Sequence, residues 1–142
     1  MKFLALATVL LSMSVAHAAK ITTFTCTLKK IPGQTFTFKI EGLNSNGMTS
    51  VAIDADDEYA GMFATKSKNE DLIAIVETLN GQGIADPEVK ADRISFFGDQ
   101  AGIDFVYFDL FKNSGYKKGF IRTEFNFGEA KDYSEVTCRL KN

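Results

Sequence analysis

The sequence predicts an all-β domain: a small antiparallel up-and-down β-barrel of about eight strands with one short helix. Short segments alternate apolar with polar residues, polar turns separate these segments, and one segment in the middle has helical spacing instead. Two cysteines, one in the first predicted strand and one in the last, predict a covalent link between the two ends of the domain. A β-sandwich made from the same strands is the alternative.

Residues 1–18 have the pattern of a signal peptide. Lys2 gives a positive start, an apolar run follows, and Ala16-His17-Ala18 is an A-x-A cleavage site. The run is too short for a membrane span, and no later stretch reaches the roughly 18 apolar residues that a spanning helix needs. We expect export to the periplasm or the exterior, removal of the leader, and a single mature domain over residues 19–142 with no transmembrane segment.

The predicted strands follow the alternation along the chain. In the first, Phe24, Cys26 and Leu28 alternate with threonines. The strands are expected at 23–28, 35–40, 48–54, 59–66, 93–98, 102–111, 118–127 and 133–141. Turn residues such as Asn44-Ser45-Asn46-Gly47 and Asn113-Ser114-Gly115 separate them.

Residues 69–81 are the exception to this alternation. Apolar residues recur at helical spacing, at Leu72, Ile75, Val76 and Leu79. Asn69 can cap the first turn and Gly81 can end the last one, so the segment predicts a helix. Because several of its residues are β-branched, a buried strand is the alternative.

Cys26 and Cys138 are the only cysteines of the chain. In an oxidising compartment they predict one structural disulfide, since C-x-x-C spacing and neighbouring histidines, the marks of a redox or metal site, are absent. If the first and last strands are antiparallel neighbours, this pairing also fixes their register. The pairs would be Phe24 with Leu140, Thr27 with Thr137, Leu28 with Val136, and Lys29 with Glu135.

Parallel strands would instead set Lys29 against Lys141, so the charges favour the antiparallel arrangement. An up-and-down barrel with antiparallel first and last strands has an even number of strands. The disulfide would then lock the seam of this barrel.

Composition excludes several function classes for the mature domain. The single histidine of the chain, His17, is in the predicted leader, so the mature domain has no histidine, and the chain has no tryptophan. Histidine-dependent hydrolysis and histidine-ligated zinc are therefore excluded. Losing Lys2 with the leader leaves 15 basic and 18 acidic side chains, a net charge of −3 that argues against nucleic-acid binding.

Carboxylates remain as possible reactive groups. Asp104, Asp109 and Glu124 lie on adjacent predicted strands, and two acids are enough for a glycosidase-type hydrolase. This is the least favoured function because no complete set of acid, base and nucleophile can be named. We expect a protein that is not an enzyme and has no cofactor.

An acidic run invites a calcium site, because clustered carboxylates are ligands for hard cations. Its candidate ligands are Asp54, Asp56, Asp57 and Glu58. Compared with an EF-hand loop, Tyr59 stands at the glycine position and Thr65 at that of the closing glutamate. A solvated turn without metal is the favoured interpretation.

The strand at 102–111 is apolar on both faces. Ile103, Phe105, Tyr107 and Phe111 alternate with Val106, Phe108 and Leu110. One face would fill the barrel, and the helix at 69–81 would cover the other, or the strand would help to form an apolar ligand pocket or partner surface. The residues predicted for that surface are Phe97, Phe105, Tyr107, Phe108 and Phe120.

These observations favour an exported, non-enzymatic protein that binds another protein through loops and exposed aromatic side chains. The first alternative is a carrier of a small apolar ligand in a calycin-like barrel. A cavity inside the barrel would favour the carrier, whereas a filled interior with an outer aromatic patch would favour the protein binder.

The layout also resembles a known family. A leader, a small β-barrel and a disulfide from the first strand to the end of the chain are similar to the periplasmic membrane-bound or C-type lysozyme inhibitors. Phe24-Thr25-Cys26 and Val136-Thr137-Cys138 would hold equivalent places. The resemblance implies a periplasmic inhibitor as a further alternative. The family's Ser-Gly-x-x-Tyr loop is not matched, because Asn113-Ser114-Gly115-Tyr116 brings the tyrosine too early, so no inhibitory residue is carried over.

Overall fold

A computed structural model describes residues 20–43, 50–52, 62–81, 87–126, 128–129 and 131–142. The predicted leader lies outside the described residues. In chain order, the elements are β1 (Ile21–Leu28), β2 (Ile31–Glu41), β3 (Ser50–Ala52), β4 (Phe63–Thr65), α1 (Glu70–Leu79), β5 (Glu88–Val89), β6 (Arg93–Gln100), β7 (Asp104–Phe111), β8 (Lys118–Glu124) and β9 (Lys131–Lys141). A short 3-10 turn at Lys112–Ser114 links β7 to β8.

All strands belong to one antiparallel sheet in the order β3-β2-β1-β9-β8-β7-β6-β5. Because β3 and β4 both pair with β2, at successive stretches of it, the sheet is eight strands across. It curls into a half-barrel. The predicted small all-β barrel with one helix is confirmed, and the single curled sheet decides against the sandwich alternative.

The disulfide joins Cys26 on β1 to Cys138 on β9. The register of these strands is the predicted antiparallel one, with Phe24 opposite Leu140 and Leu28 opposite Val136. Beyond the end of β1, the Lys29 amide donates to the Glu135 carbonyl at 2.9 Å. The side chains of Lys29 and Glu135 form an exposed ion pair at 3.1 Å.

The predicted position of the seam has to be corrected. The bonded strands β1 and β9 lie in the middle of the sheet, while its edges are β3 and β4 on one side and β5 on the other. Within the described residues no pairing joins these two edges. Helix α1 contacts β2 and β4 as well as β6 and β7, so it packs across the opening of the half-barrel.

The segment at 69–81 is the predicted helix. The Asn69 side chain accepts a hydrogen bond from the Leu72 amide at 3.0 Å, while Asn80, rather than Gly81, caps the other end. The apolar residues of its predicted face are buried. The helix lies close to β6 at Gly98, where an added Cβ would be 2.2 Å from the Thr78 carbonyl oxygen. A glycine at this position therefore lets the helix dock.

We predict that Asn69→Ala lowers the free energy of unfolding by about 1 kcal/mol, because the Leu72 amide loses its side-chain acceptor. Urea unfolding of the two proteins measures the difference. Asn69→Asp keeps an acceptor oxygen and should remain close to the wild type. A similar loss in both variants would show that the cap does not account for the effect.

The core is one cluster between the sheet and α1. Phe36, Phe38, Phe63, Phe96 and Phe108 are all at most 3% exposed. Phe38 stacks on Phe24 with ring centroids 4.6 Å apart and meets Phe108 edge-on at 5.8 Å. Aromatic side chains from β1, β2, β4, β6 and β7 thus fill the inner side of the half-barrel.

Candidate functional site

The outer face of β6, β7 and β8 carries the candidate site. Strand alternation sends Val106, Phe108 and Leu110 of β7 into the core and leaves Phe105 and Tyr107 half-buried on the outside. Cross-strand pairing brings Phe97 of β6 opposite Tyr107. The ring centroids of Phe97 and Tyr107 are 5.1 Å apart, and those of Phe97 and Phe105 are 5.9 Å apart. We call Phe97, Phe105 and Tyr107 the outer aromatic cluster.

Arg122 of β8 completes the central row of this surface. It pairs with Tyr107 across the strands, and its guanidinium carbon lies 4.6 Å from the centroid of the Tyr107 ring. A cation over an aromatic face is attracted by the electron-rich π-system. The row therefore presents two aromatic side chains and one cation side by side.

The other two predicted surface residues lie elsewhere. Phe120 is on the same outer face, but it sits opposite Asp109 and is outside the outer aromatic cluster. Phe108 must be removed from the predicted surface because its side chain lies in the core with no exposed area. Its position, one residue from Tyr107 in an extended strand, puts it on the opposite face.

A polar cluster borders the aromatic one. The Ser95 hydroxyl donates a hydrogen bond to the Asp109 carboxylate, and Arg93 Nη1 lies 3.4 Å from the same carboxylate. Arg93 Nη2 also pairs with Asp92 at 2.9 Å, and this hydrogen bond holds the pKa of the Asp92 carboxyl below its usual value. This cluster was not predicted, although Ser95 and Asp109 share the outward alternation of Phe97 and Tyr107.

These residues line an open groove of about 470 Å³ on the outer face. One wall is formed by Glu88 and Lys90, from β5 and just beyond it, whose side chains pair at 3.5 Å. Phe97, Tyr107 and Arg122 also line the groove, so it runs along the outer aromatic cluster. Such a groove offers aromatic contact area together with hydrogen-bond donors and acceptors.

The three carboxylates considered for hydrolysis do not share one face of the sheet. Asp104 has the same alternation as the buried Val106 and accepts a hydrogen bond from the Asn126 amide at 2.8 Å. Asp109 and Glu124 are on the outer face, where Asp109 is held by Ser95 and Arg93. The expectation that the protein is not an enzyme stays a prediction.

The calcium candidates Asp54, Asp56, Asp57 and Glu58 all lie outside the described residues. Within the part of the chain that the structure describes, no group of three or more histidine, cysteine, aspartate or glutamate side chains is placed to hold a metal ion.

A second aromatic site ties α1 to the sheet. The Tyr133 hydroxyl donates to Asp71 in the first turn of α1 at 3.2 Å, and Lys30 Nζ lies 4.4 Å from the centre of the Tyr133 ring. Burial and the neighbouring Asp71 carboxylate raise the pKa of Tyr133 to about 12. Both effects disfavour the phenolate.

This contact predicts a pH dependence of stability. The folded state favours neutral Tyr133, so its contribution is present below the unfolded pKa of about 10 and is lost as the pH rises toward about 12. Between these values the wild type should lose unfolding free energy relative to Tyr133→Phe, as measured by urea unfolding at several pH values. Asp71→Asn should reduce the loss. Parallel pH profiles for the wild type and Tyr133→Phe would contradict the assignment.

Comparison with protein-family models, with curated proteins and with solved structures finds no match to this chain. The resemblance in layout to the lysozyme inhibitors therefore remains a prediction. Among the described residues, no helix is both long and apolar enough to cross a membrane.

Proposed function

We propose that this chain is an exported, non-enzymatic binding protein that contacts another protein through the outer face of β6, β7 and β8. The observation that carries the proposal is the outer aromatic cluster itself. Phe97, Phe105 and Tyr107 are only half-buried, and the rings of Phe105 and Tyr107 both pack against Phe97 on the side of the sheet that α1 does not cover. Aromatic side chains and arginine are enriched in the centres of protein interfaces.

The outer aromatic cluster stands on packed strands. Phe97 and Tyr107 lie near the middle of β6 and β7, and the opposite face of β7 carries the fully buried Val106 and Phe108. A surface on packed strands loses little conformational freedom when a partner binds, so more of the contact energy appears as affinity. Export is supported by the leader pattern and by the disulfide.

The filled interior favours this proposal over the carrier alternative. A carrier of a small apolar ligand would need space on the inner side of the half-barrel. Phenylalanine rings from β1, β2, β4, β6 and β7 fill the described part of that side, and α1 adds Leu72, Ile75, Val76 and Leu79.

The test is capture of a partner from the envelope or secreted fraction of the native organism, followed by titration of the purified partner. Tyr107→Ala removes the central ring of the cluster and should weaken binding by about tenfold or more. Thr27→Ala, on the outer face of β1, is the matched control and should bind like the wild type. Equal affinity for all three proteins would contradict the proposed surface.

The carrier alternative has its own measurement. A fluorescent fatty-acid analogue should show no saturable binding to the protein if the inner side is filled. Saturable binding that lipid extracts displace would favour the carrier over the protein binder.

A further inference from the structure

We infer that the groove beside the outer aromatic cluster binds an acidic segment of the partner, with one carboxylate on Arg122 and a neighbouring apolar side chain on Phe97 and Tyr107. The inference rests on the proposed function and adds the chemistry of the partner to it. It is based on which of the charged side chains that line the groove already have ion-pair partners.

Two of the three cations in the groove already have partners. Arg93 pairs with Asp92 at 2.9 Å and with Asp109 at 3.4 Å, and Lys90 pairs with Glu88 at 3.5 Å. These contacts also occupy the two carboxylates that line the groove, Glu88 and Asp109. A basic ligand would therefore compete with an existing cation for either carboxylate.

Arg122 is the third cation of the groove, and among the described residues it has no carboxylate as an ion-pair partner. Its Cα partner on β9 is the acidic residue Asp132, but among the described residues no ion pair joins Arg122 to Asp132 or to any other acid. Its guanidinium lies instead over the Tyr107 ring, on the groove side of the strand. Its donors are thus free to receive a ligand from solution.

The chemistry of the guanidinium decides what Arg122 can recognise. Its N–H donors lie in one plane, where two of them match the oxygens of a carboxylate. The ring beneath limits its rotation, so less conformational freedom is lost when the pair forms. Phe97, 5.1 Å from the Tyr107 ring, offers apolar surface next to this position.

The ion pairs around the groove leave Arg122 as the cation without an acidic partner among the described residues. Lys90, Arg93 and Arg122 line the groove with Glu88 and Asp109, and Asp92 adds a third carboxylate by pairing with Arg93. The charges are thus equal in number, and the position next to Arg122 is the one that favours an acidic over a basic segment.

The test is selection from a random peptide library displayed on phage, using the full disulfide-bonded protein as bait. The wild type should enrich peptides in which aspartate or glutamate stands beside an aromatic or aliphatic residue. Arg122→Gln should lose the acidic preference and keep the apolar one, whereas Tyr107→Ala should lose both. Arg139→Gln, on the outer face of β9, is the matched control and should select like the wild type.

A synthetic peptide of the enriched sequence gives the size of the effect. Arg122→Gln should weaken its binding by about tenfold, and Arg122→Lys should fall between the two proteins. Unfolding curves of each variant establish that the bait is folded.

The outcomes separate the two proposals. If the wild type enriches no peptide, the inference is overturned, whereas the proposed protein-binding surface is decided by the partner titration with Tyr107→Ala. If it enriches apolar peptides without acids, or basic peptides, or if Arg122→Gln keeps the acidic preference, the inference is overturned while the proposed binding surface stands.

Discussion

Replacing both Cys26 and Cys138 by alanine is expected to lower the free energy of unfolding by about 2–5 kcal/mol. The disulfide closes a loop with a sequence separation of 112 residues. In the chain-entropy model, a loop of this length restricts the unfolded chain enough to contribute roughly 4 to 5 kcal/mol. The lower part of the expected range allows for residual structure in the unfolded chain.

The position of the bond in the sheet makes this prediction specific. Cys26 and Cys138 are at most 2% exposed and lie between the central strands β1 and β9. Opening the bond leaves the backbone pairing from Thr23 to Leu28 in place, so the folded state changes little and the unfolded state gains freedom. Alanine is the suitable replacement because serine would add a buried hydroxyl at each position.

Guanidinium unfolding with and without a thiol reductant measures the effect. Reductant should lower the unfolding midpoint of the wild type and leave that of the double alanine variant unchanged. Intact-mass analysis after alkylation should find the two thiols only in reduced wild-type protein. The same midpoint in oxidised wild type and in the double variant would show that the bond does not stabilise the fold.

The β1–β9 register could be predicted because the disulfide and the charges beside it fix it without reference to the other strands. Two cysteines leave one pairing, and the charges of Lys29, Glu135 and Lys141 separate the antiparallel from the parallel sense. The cap of α1 could be predicted because it is local, since Asn69 and Leu72 are three residues apart. Such features need no knowledge of the rest of the fold.

The edges of the sheet could not be predicted in this way. β5 has only two residues, Glu88–Val89, which is too short for alternation to be visible. The predicted seam at β1 and β9 assumed that the chain ends meet where the barrel closes. In the structure β1 and β9 lie in the centre of the sheet, which is open between the edge formed by β3 and β4 and the edge formed by β5. Only the complete pairing order shows that the helix spans the opening.

The polar part of the candidate site was missed for a related reason. Arg93 and Asp109 are 16 residues apart, and their contact depends on the register of β6 against β7. The pairing of Ser95 with Asp109 follows from that same register. If the turn at residues 101–103 were one residue longer or shorter, the register of β6 against β7 would shift and all of these pairs would change.

The two faces of β7 are both apolar, so alternation cannot decide which one is inside. The structure puts Phe108 in the core and Phe105 on the outer face. We therefore predict that Phe108→Ala lowers the free energy of unfolding by about 3–5 kcal/mol, against about 1 kcal/mol for Phe105→Ala. The two residues are on the same strand and undergo the same truncation, so each variant is the control for the other.

The physical reason for the difference is the packing around each ring. Phe108 has no exposed area and lies 5.3 Å from Phe96 and 5.6 Å from Phe36, centroid to centroid. Its removal leaves a cavity among rings from several strands, which the sheet cannot collapse to fill. Phe105 is half-buried, and among the described rings it packs on Phe97 alone. Water can therefore fill most of the space that truncation of Phe105 leaves.

Urea unfolding followed by circular dichroism measures both variants. Phe108→Leu keeps most of the buried volume and should cost less than Phe108→Ala, which keeps the comparison possible if the alanine variant does not fold. Equal losses at positions 105 and 108 would mean that the outer face is packed as tightly as the core. The outer aromatic cluster would then have little exposed surface for a partner, so this stability measurement also bears on the proposed function.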